Sequence, residues 1–90
     1  MIVFHEVKNG ELWGEAWRKG KGSRHEMFAR IGVKARTFHD PKNPDLTGVI
    51  LEIPDMAKCQ AFLESDEAKK AMAEDGLRDE TMRTLVEFTP

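Results

Sequence analysis

The sequence predicts an α+β domain of βαββαβ order, with both crossover helices on one face of a four-stranded antiparallel sheet. Three observations carry this. Apolar residues alternate with polar or small ones in short segments near 2–7, 33–40, 46–53 and 82–88. Helical spacing takes over between the first and second segments, and again between the third and fourth. Only a turn separates the second from the third, so those two strands form a hairpin.

Ile2 to Val7 opens the chain as a strand. Ile2 and Phe4 alternate with Val3 and His5, so both of its faces are largely apolar. Asn9-Gly10 ends it, and Asn9 is placed to cap a helix. In that helix Leu12, Trp13, Ala16 and Trp17 form one stripe. Gly20-Lys21-Gly22 interrupts it. Ser23-Arg24-His25-Glu26 then reads as a capping box, with Met27, Phe28 and Ile31 as the next stripe. Gly32 suits the left-handed position after the helix, with Val33 beyond it. Residues 10–31 are therefore helical in two pieces, or one helix with a break.

Val33, Ala35 and Thr37 alternate with Lys34, Arg36 and Phe38 in the second strand. Pro41-Lys42-Asn43-Pro44-Asp45 reads as a turn, because proline donates nothing to a ladder. Leu46 to Ile53 gives the strongest strand signal. Asp55 caps the next helix, whose apolar side carries Met56, Cys59, Phe62 and Leu63. Ser65 restarts it, with Ala68, Ala71 and Met72 following and Gly76 closing it. Met82 to Phe88 is the last strand.

Right-handed crossovers on either side of the hairpin are expected to place the outer strands between the inner ones. One sheet face then stays uncovered and too apolar to leave wet. A second copy of the chain is its expected cover.

Ninety residues fit one domain, 1–90. A chain this short buries roughly 60–65% of its surface, which also favours pairing. The net charge of −2 gives no field drawing it to nucleic acid or to an anionic membrane. One cysteine, Cys59, excludes an internal disulfide and a Cys-rich zinc site. No apolar run reaches membrane-spanning length, and the first residues lack the pattern of a secretory signal. A cytoplasmic location is the expectation.

The arrangement resembles the dimeric α+β barrel superfamily, which includes the antibiotic-biosynthesis-monooxygenase-like domains. The likeness lies in Val3-Phe4-His5-Glu6-Val7 before a Trp-bearing helix, and in Gly32-Val33 entering a strand. It continues through the turn from Phe38-His39-Asp40-Pro41 to Pro44, and through Leu51-Glu52-Ile53-Pro54-Asp55-Met56. It ends with the helix from Ala61-Phe62-Leu63-Glu64-Ser65 to Met72 and Gly76. The resemblance implies a ferredoxin-like subunit and a homodimer. It also implies a cleft between sheet and helices that holds a small apolar or aromatic molecule in the enzymes. The chemistry it implies is cofactor-independent and monooxygenase-like or isomerase-like. Its alternative is a non-catalytic ligand-binding or dimerisation module. Haem-degrading relatives combine an Asn, a Trp and a late His. This chain has no His after His39, so haem breakdown is not expected.

His5 is the candidate proton acceptor, because imidazole titrates near neutral pH. Arg36 is the candidate for holding an enolate or carboxylate, or else a cross-strand partner of Glu52. Trp13 and Trp17 pack as core or form a flat wall for a ligand. Phe38, His39 and Phe62 complete the candidate substrate-binding set. As neighbours in a strand, His39 and Asp40 point to opposite faces, and Asp40 is expected to bond turn amides. His25 is expected to face solvent. The three histidines lack metal-ligand spacing. The basic run from Arg18 to Arg24 lacks the strand and the spacing of a phosphate loop. Cys59 reads as a small buried hydrophobe. A filled cleft would favour the module; an open one reaching His5 or Arg36 would favour the enzyme.

Overall fold

A computed structural model describes residues 1–18 and 20–90; Lys19, in the basic run, lies outside them. The elements are β1 (Ile2–Glu6), α1 (Gly10–Trp17), α2 (Arg24–Ala29), β2 (Lys34–Asp40) and β3 (Asn43–Glu52). Then come α3 (Met56–Leu63), α4 (Asp66–Glu74), a 3-10 turn (Asp79–Thr81) and β4 (Arg83–Leu85).

All strand pairs are antiparallel, in the order β2-β3-β1-β4. Each crossover therefore joins two parallel strands with one strand between them, the split βαβ arrangement. This corrects one expectation. β1 does lie inside the sheet, but β4 lies at its edge. A three-residue strand suits an edge, where few ladder bonds are required.

Local chemistry fixes the helix ends. Asn9 Oδ1 accepts from the Glu11 and Leu12 amides at 3.0 and 3.2 Å. Ser23, Asp55 and Ser65 cap α2, α3 and α4 through Glu26 N, Lys58 N and Ala68 N. The Glu26 carboxylate reaches back to Gly22 N rather than to Ser23, whose amide bonds the Gly20 carbonyl. Gly32 and Gly76 adopt φ of 75° and 74°, so the chain turns off each helix without a Cβ clash. The Val33 amide closes on Phe28 O, and the Leu77 amide on Met72 O.

Two boundaries differ from the sequence reading. The hairpin turn is tighter: Asp40 pairs with Asn43, so β3 begins within the supposed turn. Pro44 lies before the stretch of β3 that pairs with β1, so its missing N–H removes no bond there. The last strand stops at Leu85 rather than Phe88. Leu12 and Met56, expected on apolar stripes, are exposed instead, Leu12 at 63%. In eight-residue helices only the innermost part of each stripe meets the sheet.

The core lies between helices and sheet: Val7, Trp13, Trp17, Phe28, Val33, Val49, Leu51 and Cys59. A part-buried ion pair closes one end. Arg24 Nε and Nη2 donate to Asp75 Oδ2 and Oδ1, each at 2.8 Å, tying the start of α2 to the end of α4. These bonds raise the Arg24 pKa above its already high value. Losing Arg24 would leave the buried Asp75 carboxylate without its partner.

Gly10 is held by close approach. A Cβ there would lie 2.2 Å from the Pro44 carbonyl oxygen. Gly14, in the same helix, has nothing within 4 Å of that position. Gly10→Ala should therefore destabilise the fold by about 1–3 kcal/mol. Gly14→Ala should stabilise it by about 0.5–1 kcal/mol, as alanine does inside a helix. Urea midpoints of the two variants check this, and midpoints that shift in the same direction would contradict it.

Candidate functional site

Strand alternation decides where every candidate residue lies. Along β1, His5 is buried and points toward the helices, while Ile2 and Phe4 are exposed on the other face. The register pairs His5 with Thr47, so both meet beneath the helices. Thr47 Oγ1 lies 2.8 Å from His5 Nδ1 and 3.1 Å from the His5 carbonyl oxygen. The hydroxyl has one proton, which allows two arrangements. With that proton on the carbonyl, Nδ1–H donates to Oγ1 and Nε2 carries the lone pair. With it on Nδ1, Nε2 is protonated. Burial, partly opposed by a hydrogen bond to its own backbone and by the Asp75 charge, lowers the His5 pKa. The imidazole is therefore neutral at neutral pH.

A continuous run of rings starts from His5. Trp13 meets it edge-on at 6.0 Å between centroids. Trp17 follows at 6.0 Å, Phe28 stacks on Trp17 at 5.6 Å, and Phe62 stands edge-on to Phe28 at 5.4 Å. The structure thus brings together four predicted residues, His5, Trp13, Trp17 and Phe62. Their rings occupy the space between sheet and helices. His25 is half-buried rather than solvent-facing, with its ring edge on Trp17 at 5.2 Å.

The remaining candidates lie elsewhere. Arg36 and Phe38 are on the open face of the sheet, with the guanidinium carbon 5.8 Å from the Phe38 ring centroid. Arg36 pairs with Ile50 in register and Glu52 with Lys34, so the expected cross-strand partners do not stand opposite each other. His5 and Arg36 do not share one pocket, since the sheet lies between them.

A depression of ≈ 330 Å³ occupies that open face. Ile2, Phe4, Phe38, Leu46 and Ile50 supply apolar walls around Gly48, with His39 and Asp40 at the hairpin end. The strand register shifts only after His39, between His39 and Asp40, at the rim of this depression. Asp40 Oδ1 accepts from the Lys42 amide at 2.8 Å, the turn bond expected of it.

Cys59 is buried, and burial raises its thiol pKa, as fits an inert core residue. Thr47 escaped the sequence reading; its place opposite His5 follows only from the β1–β3 register. Among the described residues no three metal-ligating side chains converge, and no helix is long and apolar enough to cross a membrane.

These features define a class of fold: ferredoxin-like α+β, with helices on one sheet face and an apolar surface on the other. A solved structure of an antibiotic biosynthesis monooxygenase has this fold. It superposes with a TM-score of 0.63 over 99% of this chain and 96% of that one, at 18% identity. At that identity the likeness establishes the shared fold. No family model matches the chain, and no curated protein does.

The lowered His5 pKa has a consequence for stability. The unfolded chain takes up a proton near pH 6.5, the ordinary histidine value, before the folded chain does. Stability contributed by neutral His5 is complete above that pH and is lost as the pH falls toward the native value. Urea midpoints at pH 7.5 and pH 5.0 should differ more for the wild type than for His5→Gln. An equal acid-side loss in both proteins would remove His5 as the cause.

Proposed function

We propose that this chain is a homodimer-forming α+β barrel module, two copies meeting through their open sheet faces. One observation carries the reading. Ile2, Phe4, Phe38, Leu46 and Leu85 all stand exposed on that face, Leu85 at 55%. Lys34, Arg36, Glu52, Glu6 and Arg83 surround them in the strand registers. An apolar centre with a charged rim is the anatomy of a protein interface. The filled ring column supports a module over an enzyme acting through a shared His5–Arg36 cleft. Pairing would also roof each ≈ 330 Å³ depression, enclosing apolar space of small-ligand size. Phe38 and His39 would contact such a ligand, and Arg36 at the rim would hold its anionic group. Light scattering at micromolar concentration should give twice the chain mass, and Phe4→Asp should give a monomer. A monomeric wild type would sink this reading.

A second reading is favoured by one observation, the neutral His5 beside Trp13. Neutral imidazole can accept a proton from an enolisable aromatic substrate if the ring column parts to admit it. The similar structure is that of an antibiotic biosynthesis monooxygenase, which suggests oxygenation. Trp13, Trp17 and Phe62 would then form the substrate wall. Oxygen uptake with enolisable phenols should appear in the wild type and vanish in His5→Gln. Equal uptake in both would dismiss it.

A further inference from the structure

We infer that residues 22–32, α2 with its flanking glycines, form a hinged lid latched to α4. Its lifting withdraws Phe28 from the ring column and lets a planar aromatic molecule take that place on Trp17. As a route for substrate this rests on the second reading above; the lid itself rests on the contacts that close it.

The backbone bonds of the segment are local. The Gly22 amide donates to the Glu26 carboxylate, the Ser23 amide to Gly20 O, and the Val33 amide to Phe28 O. Among the described residues, its ties to α1, α3 and α4 run through side chains. Arg24, at the start of α2, holds Asp75 at the end of α4, with Glu74 at 3.6 Å. Arg30, just past the end of α2, holds Glu67 in the first turn of α4. These ion pairs strap α2 along α4 in the opposite direction. Arg30 and Glu67 are exposed, so Arg24–Asp75 is the stronger latch.

Both flanks can turn. Gly22 and Gly32 sit at φ of 82° and 75°, and a Cβ on Gly22 would meet nothing within 4 Å. Hinges are a few such positions that absorb backbone rotation. α2 inserts one buried side chain, Phe28. A segment with so little buried apolar contact opens at lower cost than the sheet. Phe28 lies nearly parallel to Trp17, at 14° between planes, with Phe62 edge-on to it. Its departure leaves a ring-sized place on the face of Trp17, from which Trp13 and His5 continue the column. A planar aromatic there restores the stacking that Phe28 gives up.

Hydrogen exchange followed by NMR over a urea series tests the lid in the wild type, Arg24→Met and Arg30→Gln. In the wild type, the α2 and Val33 amides should exchange through an opening with little urea dependence. Those of β1 and β3 should show the full dependence of unfolding. Arg24→Met should lower α2 protection about tenfold, and Arg30→Gln about two- to threefold. Arg30→Gln changes an exposed side chain and carries the test alone if Arg24→Met unfolds. Binding of 1-naphthol, measured by equilibrium dialysis, should tighten by the same factor as protection falls, because the open state becomes more populated. α2 amides that share the protection and urea dependence of β1 and β3, or latch variants that leave α2 protection unchanged, overturn the lid. Lower protection with unchanged 1-naphthol binding overturns the place on Trp17. A lid that opens as expected in proteins showing no oxygen uptake stands, and the second reading falls.

Discussion

β1 divides the molecule into its two chemistries. It lies between β3 and β4, with both long edges engaged. Its alternation sends Val3 and His5 under the helices and Ile2 and Phe4 to the open face. Register pairs Val3 with Val49 and His5 with Thr47, so the inward residues of two strands coincide. A slip of one residue would exchange these sets, moving His5 into water and Phe4 under the helices. The ring column and the apolar sheet face both follow from that single register.

The element order was legible because period and punctuation agreed. Gly32 and Gly76 end helices where the sequence placed them, and Asn9, Ser23, Asp55 and Ser65 all cap as read. The grouping of His5, Trp13, Trp17 and Phe62 was half legible, since strand parity and helical stripes point them inward. The side taken by Arg36 was not. It depends on two successive strand registers, one across the hairpin and one linking residues as far apart as Thr47 and His5. No local pattern encodes such a pairing. The Arg24–Asp75 bond, 51 residues apart, was invisible for the same reason. The edge position of β4 also escaped, because crossover handedness alone does not order four strands.

A shared fold leaves chemistry undecided, since one scaffold carries many sites. Here the interior and the open face make different demands. Stacked and edge-on rings need close contact to hold their energy, which resists an entering ligand. The open face has a concavity where Gly48 leaves room between Phe4 and Phe38, its neighbours across the strands. Self-association asks nothing of the interior and uses the outer face as it stands.

Cys59 offers a further consequence. Its sulfur is sealed in the core at 1% exposure, and desolvation keeps it protonated. A thiolate-seeking reagent can reach it only when α3 lifts from the sheet. The natural chain therefore carries its own built-in clock for breathing of the helical layer, readable by alkylation rate without any introduced label.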